Sequence, residues 1–295
     1  MDMHLEPKQS MTNTFTSMMS KSEESRITAF AQSVKGLNCV VEVGCWVGES
    51  SKAILQGFGG DLHLIDKFVW TSDHNDKYPG ILDVGGDFSQ ITRENLSGFE
   101  RSGRIHIHES SAEEFDTAAF GNASIGMLLL DGPKDARLVQ QLVLKFIPHM
   151  ASSGRILIKH AASTRLTDLL DVMVRLIEAE VLTSAKEFPA EGSDTLLAFA
   201  PGQAGSVSSE LLSSTWLDIF DAQLQPLLER CATGQLLPVI WLLRGGYREA
   251  ALQRAGEIPY APSLLKAWVG LQDFLANKEG IDLSTLIEVE LLLAA

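Results

Sequence analysis

Between Asn38 and Ala200, short apolar runs alternate with stretches of helical period, and this alternation narrows the possible folds more than any other feature of the chain. "NCVVEVG", "DLHLIDKFV", "RIHIHESS", "IGMLLLDG" and "GRILIKH" read as strands. Between them "ESSKAILQGF", "FSQITRENLSGF", "DARLVQQLVLKFIPHM" and "TRLTDLLDVMVRLIEAE" read as helices. In the last of these Leu166, Leu169, Leu170, Met173, Leu176 and Ile177 form one apolar stripe. "VLTSAKEF" and "DTLLAFA" close the series as an antiparallel pair. Strands separated by helices pair through crossovers, so the expected class is α/β with a doubly wound, mostly parallel seven-stranded sheet over residues 23–202. A helix over "SRITAFAQSV", capped by Ser25, is expected before the first strand.

Residues 1–22, rich in Met, Ser and Thr without periodicity, read as a flexible lead-in, and Met18 and Met19 as part of it. "PGQAGSVSSE", residues 201–210, has the composition of a linker, and 207–295 reads as an all-helical subdomain. Within it "WLLRGGYREAALQRA", with Trp241, Gly246, Tyr247 and Ala250, resembles one tetratricopeptide hairpin. A lone hairpin cannot bury its apolar face, so the tail must pack on the α/β domain or on another chain. Trp216, Leu217, Phe220, Leu224 and Leu228 fall near helical spacing, and a homodimer through these helices is the expected use.

The net charge of −14, with no basic run, excludes nucleic acid as a partner, and no stretch approaches the roughly 18 apolar residues of a membrane span. The N-terminus lacks the pattern of a signal peptide, so the expected location is cytoplasmic. Cys39, Cys45 and Cys231 lack metal-ligand spacing and read as buried thiols.

The first strand carries the chemistry. A carboxylate inside an apolar strand is costly unless something pairs with it, and Glu42 is expected to face a ligand. Glu42, Gly44 and Gly48 form E-x-G-x-x-x-G at a strand-to-helix turn, with Trp46 in place of the middle glycine of a dinucleotide fingerprint. Trp46 serves either packing or ligand contact. "EVGCWVGESS" resembles the first motif of class I S-adenosylmethionine-dependent methyltransferases, closest to the branch acting on sugars and other small molecules. The likeness continues in order through Asp66, "ESSAEEF" and "LLLDGPKDA", over residues 37–200. It implies S-adenosyl-L-methionine as cofactor. Gly44 and Gly48 would bring backbone to the methionine moiety, Asp66 would bind the ribose, Ser111 and Ala112 would flank the adenine, and Asp131 would lie beside the sulfonium and the acceptor.

In related sugar O-methyltransferases the acid at Asp131 binds a divalent metal with further acids after the fifth strand. Here that strand ends "ILIKH", and Lys159 and His160 argue against a metal, because hard cations want oxygen ligands. His160 is then the candidate general base and Lys159 a group that lowers the pKa of an acceptor hydroxyl. Trp70, His74, Tyr78 and Lys134 are expected to bind the acceptor, the first three from a polar insertion, "DKFVWTSDHNDKYPG", above the second strand. His106 and His108 alternate along one strand and read as structural. The function implied is O-methylation of a small polar or glycosylated metabolite. N-methylation is one alternative, and a noncatalytic partner protein that keeps the fold is another.

Overall fold

The computed structural model describes residues 19–99, 104–121, 123–187, 189–192, 195–203, 205, 207–208, 212–231 and 233–295. Most of the lead-in read at 1–22, including Met18, and part of the linker read at 201–210 lie outside the described residues. A seven-stranded sheet is built from β1 (Cys39–Val43), β2 (Asp61–Asp66), β3 (Arg104–Glu109), β4 (Ile125–Leu130), β5 (Met150–Ile158), β6 (Leu182–Ser184) and β8 (Leu197–Pro201). Its order is β3-β2-β1-β4-β5-β8-β6. The first five strands are parallel, and β8 runs antiparallel to both β5 and β6. A short parallel pair, β7 (Glu191–Gly192) with β9 (Arg230–Cys231), lies outside this sheet. The α/β, mostly parallel arrangement expected from the alternation is the one observed.

Successive side chains of a strand point to opposite faces. Val41 and Val43 therefore join Leu128, Leu130, Ile156 and Ile158 on one face, under α5 (Ala136–Phe146) and α6 (Thr167–Glu178). Val40 joins Leu62, Leu64, Met127 and Leu129 on the other, under α1 (Lys21–Ser33), α2 (Glu49–Gly57) and α4 (Ser89–Leu96). The first helix starts earlier than its sequence suggests. Ser20, not Ser25, is its cap, because Ser20 and Glu23 exchange hydrogen bonds as a capping box. The insertion after β2 is closed at its base by a bridge between Val69 and Asp87 and carries α3 (Ser72–Lys77).

The tail begins with α7 (Ser213–Ile219), which passes through a π turn (Phe220–Leu224) into α8 (Gln225–Leu228). Trp216, Phe220, Leu224 and Leu228 are buried in the same cluster as the α5 and α6 side chains. That stripe, read as a surface for a second chain, is consumed within this one. Beyond it, α9 (Leu237–Arg244) and α10 (Arg248–Gly256) form the expected hairpin, with Gly246 at φ 77° in the turn. The hairpin packs with α11 (Pro262–Glu279) and α12 (Leu283–Leu293) around Trp268, Leu275, Leu286 and Val289. Trp216 and Trp241 stack at 4.1 Å where the two parts meet. No helix among the described residues is long and apolar enough to cross a membrane.

Candidate active site

The chain leaves β1 for β2 on one side and returns to β4 on the other, so the strand order reverses between β1 and β4. In open parallel sheets that switch point opens a crevice at the carboxyl ends of the strands. Here the crevice is floored by two glycines in contact. A Cβ on Gly44, which has φ +82°, would lie 2.4 Å from the Cα of Gly132. The Gly132 amide donates to Val43 O at 3.1 Å and the Gly44 amide to Ile65 O at 2.9 Å. Glycine at 44 thus lets the turns after β1 and β4 close on each other.

Two cavities meet at Gly44, Trp46, Thr71, His74 and Gly132. One, of about 340 Å³, has apolar walls from Ile65, Phe88, Ala112 and Leu138, with Asp66 on its rim. The other, of about 390 Å³, is the more polar of the two, and Asp131, Lys134, Lys159 and His160 line it beside Glu49 and Ser50. The insertion roofs both through Thr71 and His74, and Met19 reaches the polar one from the chain segment before α1.

Asp66 ends β2 with its carboxylate set by backbone. Oδ2 accepts the Trp46 amide at 3.1 Å and Oδ1 the Phe68 amide at 2.9 Å. Burial raises its pKa above the usual carboxylate value, opposed by these two amides. Lys159 pairs with Asp131, its Nζ lying 2.9 Å from Oδ1 and 3.1 Å from Oδ2. Burial acts to lower the Lys159 pKa, but the charge of Asp131 and its hydrogen bond outweigh that and leave it raised. His160 follows at φ 65°, and no described residue hydrogen-bonds its ring. Burial, together with the neighbouring Lys159, lowers its pKa to about 4, so the imidazole is neutral at physiological pH.

His74 has a fixed tautomer. Its Nδ1 accepts the Thr71 amide at 3.1 Å within a capping box, so in the neutral ring the proton sits on Nε2. That nitrogen is a donor and cannot take a further proton. The ring stacks on Trp46 at 5.8 Å.

Several expectations need correction. Glu42 does not face a ligand. It is fully buried, and its two oxygens accept hydrogen bonds from the hydroxyls of Ser50 and Ser51 at the start of α2. Burial pushes its pKa up to about 7, against the two serine hydrogen bonds, which lower it. Trp70 does not reach the acceptor. It is fully buried and packs edge-on against Phe88 at 6.2 Å. Tyr78 lies against Trp46 at 5.2 Å and lines neither cavity. Gly48 caps α2 at φ 88° against Leu96, and the Ser111 hydroxyl bonds to Glu114 at 2.9 Å, so neither lines a cavity, whereas Ala112 does. His106 and His108 are absorbed by β3. His63 shares a hydrogen bond with His108 at 3.0 Å and stacks on His106 at 4.6 Å. Sequence reasoning missed Gly132, Thr71 and Ser50. Gly132, inside "LLLDGPKDA", and Ser50, inside "EVGCWVGESS", lay in quoted motifs and carried a signal.

No protein-family model matches the chain, and no curated protein is similar to it in sequence. Among solved structures it is similar to the N-methyltransferase NodS from Bradyrhizobium japonicum, at 14% identity over 61% of this chain and 94% of that one, with a TM-score of 0.40. It is also similar to the calicheamicin methyltransferase CalS11, at 15% identity over 62% and 79%, with a TM-score of 0.49. A third is the S-adenosylhomocysteine-bound methyltransferase PaMTH1 from Podospora anserina, at 16% identity over 63% and 80%, with a TM-score of 0.45.

Proposed function

We propose that this chain is a cytoplasmic S-adenosylmethionine-dependent methyltransferase that methylates a hydroxyl of a small polar or glycosylated metabolite. Residues 23–202 form its cofactor-binding domain and 207–295 a helical subdomain. The observation that carries this reading is the pair of unlike cavities meeting at the β1/β4 switch point.

The residues present fit the cofactor. Backbone amides hold both Asp66 oxygens, and a carboxylate offers about four acceptor sites, so the group can still hold a vicinal diol such as a ribose. The apolar walls beside it suit a purine, and Glu49 and Ser50 in the polar cavity suit an amino-acid ammonium. When bound, the cofactor supplies a methyl group on an electrophilic sulfonium.

The chain's own groups do the rest. Neutral His160, its ring nitrogens not engaged by protein, accepts the proton of the acceptor hydroxyl. Lys159, held by Asp131, stabilises the negative charge that develops on that oxygen. His74 donates through Nε2 and orients the acceptor without competing as a base. Asp131 is committed to Lys159, and no group of three or more His, Cys, Asp or Glu side chains among the described residues is arranged to hold a metal.

A calorimetric titration with S-adenosylhomocysteine, with and without magnesium, tests the reading. Saturable binding unaffected by magnesium and lost in Asp66→Ala is expected. Absence of binding to the parent chain would overturn it.

A further inference from the structure

Two non-glycine residues of the site have positive φ, Trp46 at 44° and His160 at 65°, and a residue with a side chain occupies this left-handed region only when its surroundings enforce it. The loop from Lys159 to Leu166 is a chain of overlapping turns. The Ser163 amide donates to His160 O at 2.9 Å, the Leu166 amide to Ser163 O at 3.1 Å, and the Leu169 amide to Leu166 O at 3.0 Å. At its inner end Ala162 donates to Thr195 O at 3.0 Å. Its outer end is gripped from the helical tail. Arg244, at the end of α9, donates to the Thr167 hydroxyl, to Glu279 at 2.6 Å and to Arg165 O at 3.4 Å. The Arg165 guanidinium in turn sits 5.7 Å from the centre of the Phe274 ring in α11.

We infer that Arg244 is a positioning residue: by tying the start of α6 to α9 and α11, it holds the loop that carries His160, so the tail sets the geometry of the active site. The side chain is only 16% exposed and bonds to groups on both sides of the junction, Thr167 on one and Glu279 on the other, with the Arg165–Phe274 contact beside it. An arginine suits this because its planar fork serves several acceptors at once, which a lysine ammonium on a flexible stem does less well. The catalytic consequence rests on the reading of His160 as the proton acceptor, whereas the loop's dependence on Arg244 does not.

The test uses the full-length chain and a readout independent of methyl transfer. The His160 imidazole is titrated by NMR, its signal identified by its loss in His160→Gln. The groups acting on it are Lys159 beside it, Asp131 and Lys134 after β4, and Lys77 on α3, and burial adds to their effect. Loosening the loop lets water reach the ring. In Arg244→Met its midpoint should climb by about one pH unit or more toward the free value of about 6.5. Arg244→Lys should recover part of that shift. Affinity for S-adenosylhomocysteine should change less than about threefold, since Asp66 and Gly44 are untouched. If Arg244→Met does not fold, Thr167→Val and Phe274→Leu weaken the same grip one contact at a time, and each should move the midpoint in the same direction. An unchanged midpoint in the folded variants would overturn the inference. If the parent fails to bind S-adenosylhomocysteine, the proposed function falls, and the midpoint still decides the role of Arg244.

Discussion

Lys159 Nζ lies within 3.1 Å of both carboxylate oxygens of Asp131, so the acid after β4 already holds a cation supplied by the chain itself. Both side chains are largely buried, which makes the pair unlike a surface salt bridge: removing one partner leaves the other as an uncompensated charge. Lys159→Met is therefore expected to lower turnover by about 10²–10³-fold, the range for losing one group that stabilises developing negative charge. Chelator treatment should leave the parent's turnover intact. Steady-state kinetics with a methyl acceptor checks both, and loss of turnover on chelation, restored by magnesium, would refute the reading of Lys159.

The pH profile separates His160 from an ordinary histidine. With its pKa lowered to about 4 by burial and by Lys159, the ring stays neutral and able to accept a proton across the physiological range. The kcat/KM profile should be flat from pH 5 to 8 as far as this group is concerned, and fall only near pH 4. His160→Ala should reduce kcat by about 10²–10⁴-fold. An acid limb with a midpoint near 6.5 would mean that the base is a solvent-exposed imidazole elsewhere.

Glu42 makes a prediction about stability. Burial raises its folded pKa to about 7 from the ordinary 4.5, so the folded state holds a proton that the unfolded state has lost between those values. Stability from this group is present below pH 4.5 and is lost as pH rises through 7. Glu42→Gln removes the titration, so the variant's stability relative to the parent should increase from pH 4.5 to 7 and stay constant above. Urea unfolding at several pH values measures this, and a difference independent of pH would show that Glu42 does not titrate in that window. His63 has the opposite sign. Burial lowers its pKa to about 4, so its contribution is full above about 6.5 and is lost as pH falls toward 4, and His63→Gln should flatten that acid slope.

Gly44 shows where local pattern was enough and where it was not. The alternation of strands and helices, the turn after β1, Asp66 at the end of β2 and Asp131 at the end of β4 are written in local pattern, and all stand where that pattern puts them. What local pattern does not carry is the partner across space. "EVGCWVGESS" contains Glu42 and both serines that bury it, yet spacing alone cannot tell a carboxylate closed by two hydroxyls from one that is open to a ligand. Trp70 lies in a polar stretch, but the bridge at Val69 turns it inward. Gly44 does line both cavities, but local pattern does not show that a Cβ there would also strike the backbone of Gly132. Gly44→Ala is accordingly expected to destabilise the fold itself, by about 1–3 kcal/mol from backbone conformation alone, with the overlap adding to it. A variant as stable as the parent that merely lost cofactor affinity would contradict this.

The tail supplies the last prediction. Trp216 is fully buried, stacked between Phe220 at 5.3 Å and Trp241 at 4.1 Å, and it shares its cluster with Leu169, Leu170 and Met173 of α6. A chain ending at Gly205 would expose that side of α6 together with the surface that Phe220, Leu224 and Leu228 now cover. Fully burying one such side chain is worth about 1.5–3 kcal/mol, so the loss of several exceeds the net stability of an ordinary domain. The shortened chain should therefore be insoluble or bind a hydrophobic dye strongly. Trp216→Ala in the full chain should cost about 3–5 kcal/mol, because the surrounding rings cannot collapse onto the space it leaves. Chemical denaturation measures the second value, and light scattering with dye binding the first. A shortened chain that stays folded and monodisperse would show that the tail is an appendage and not part of the core.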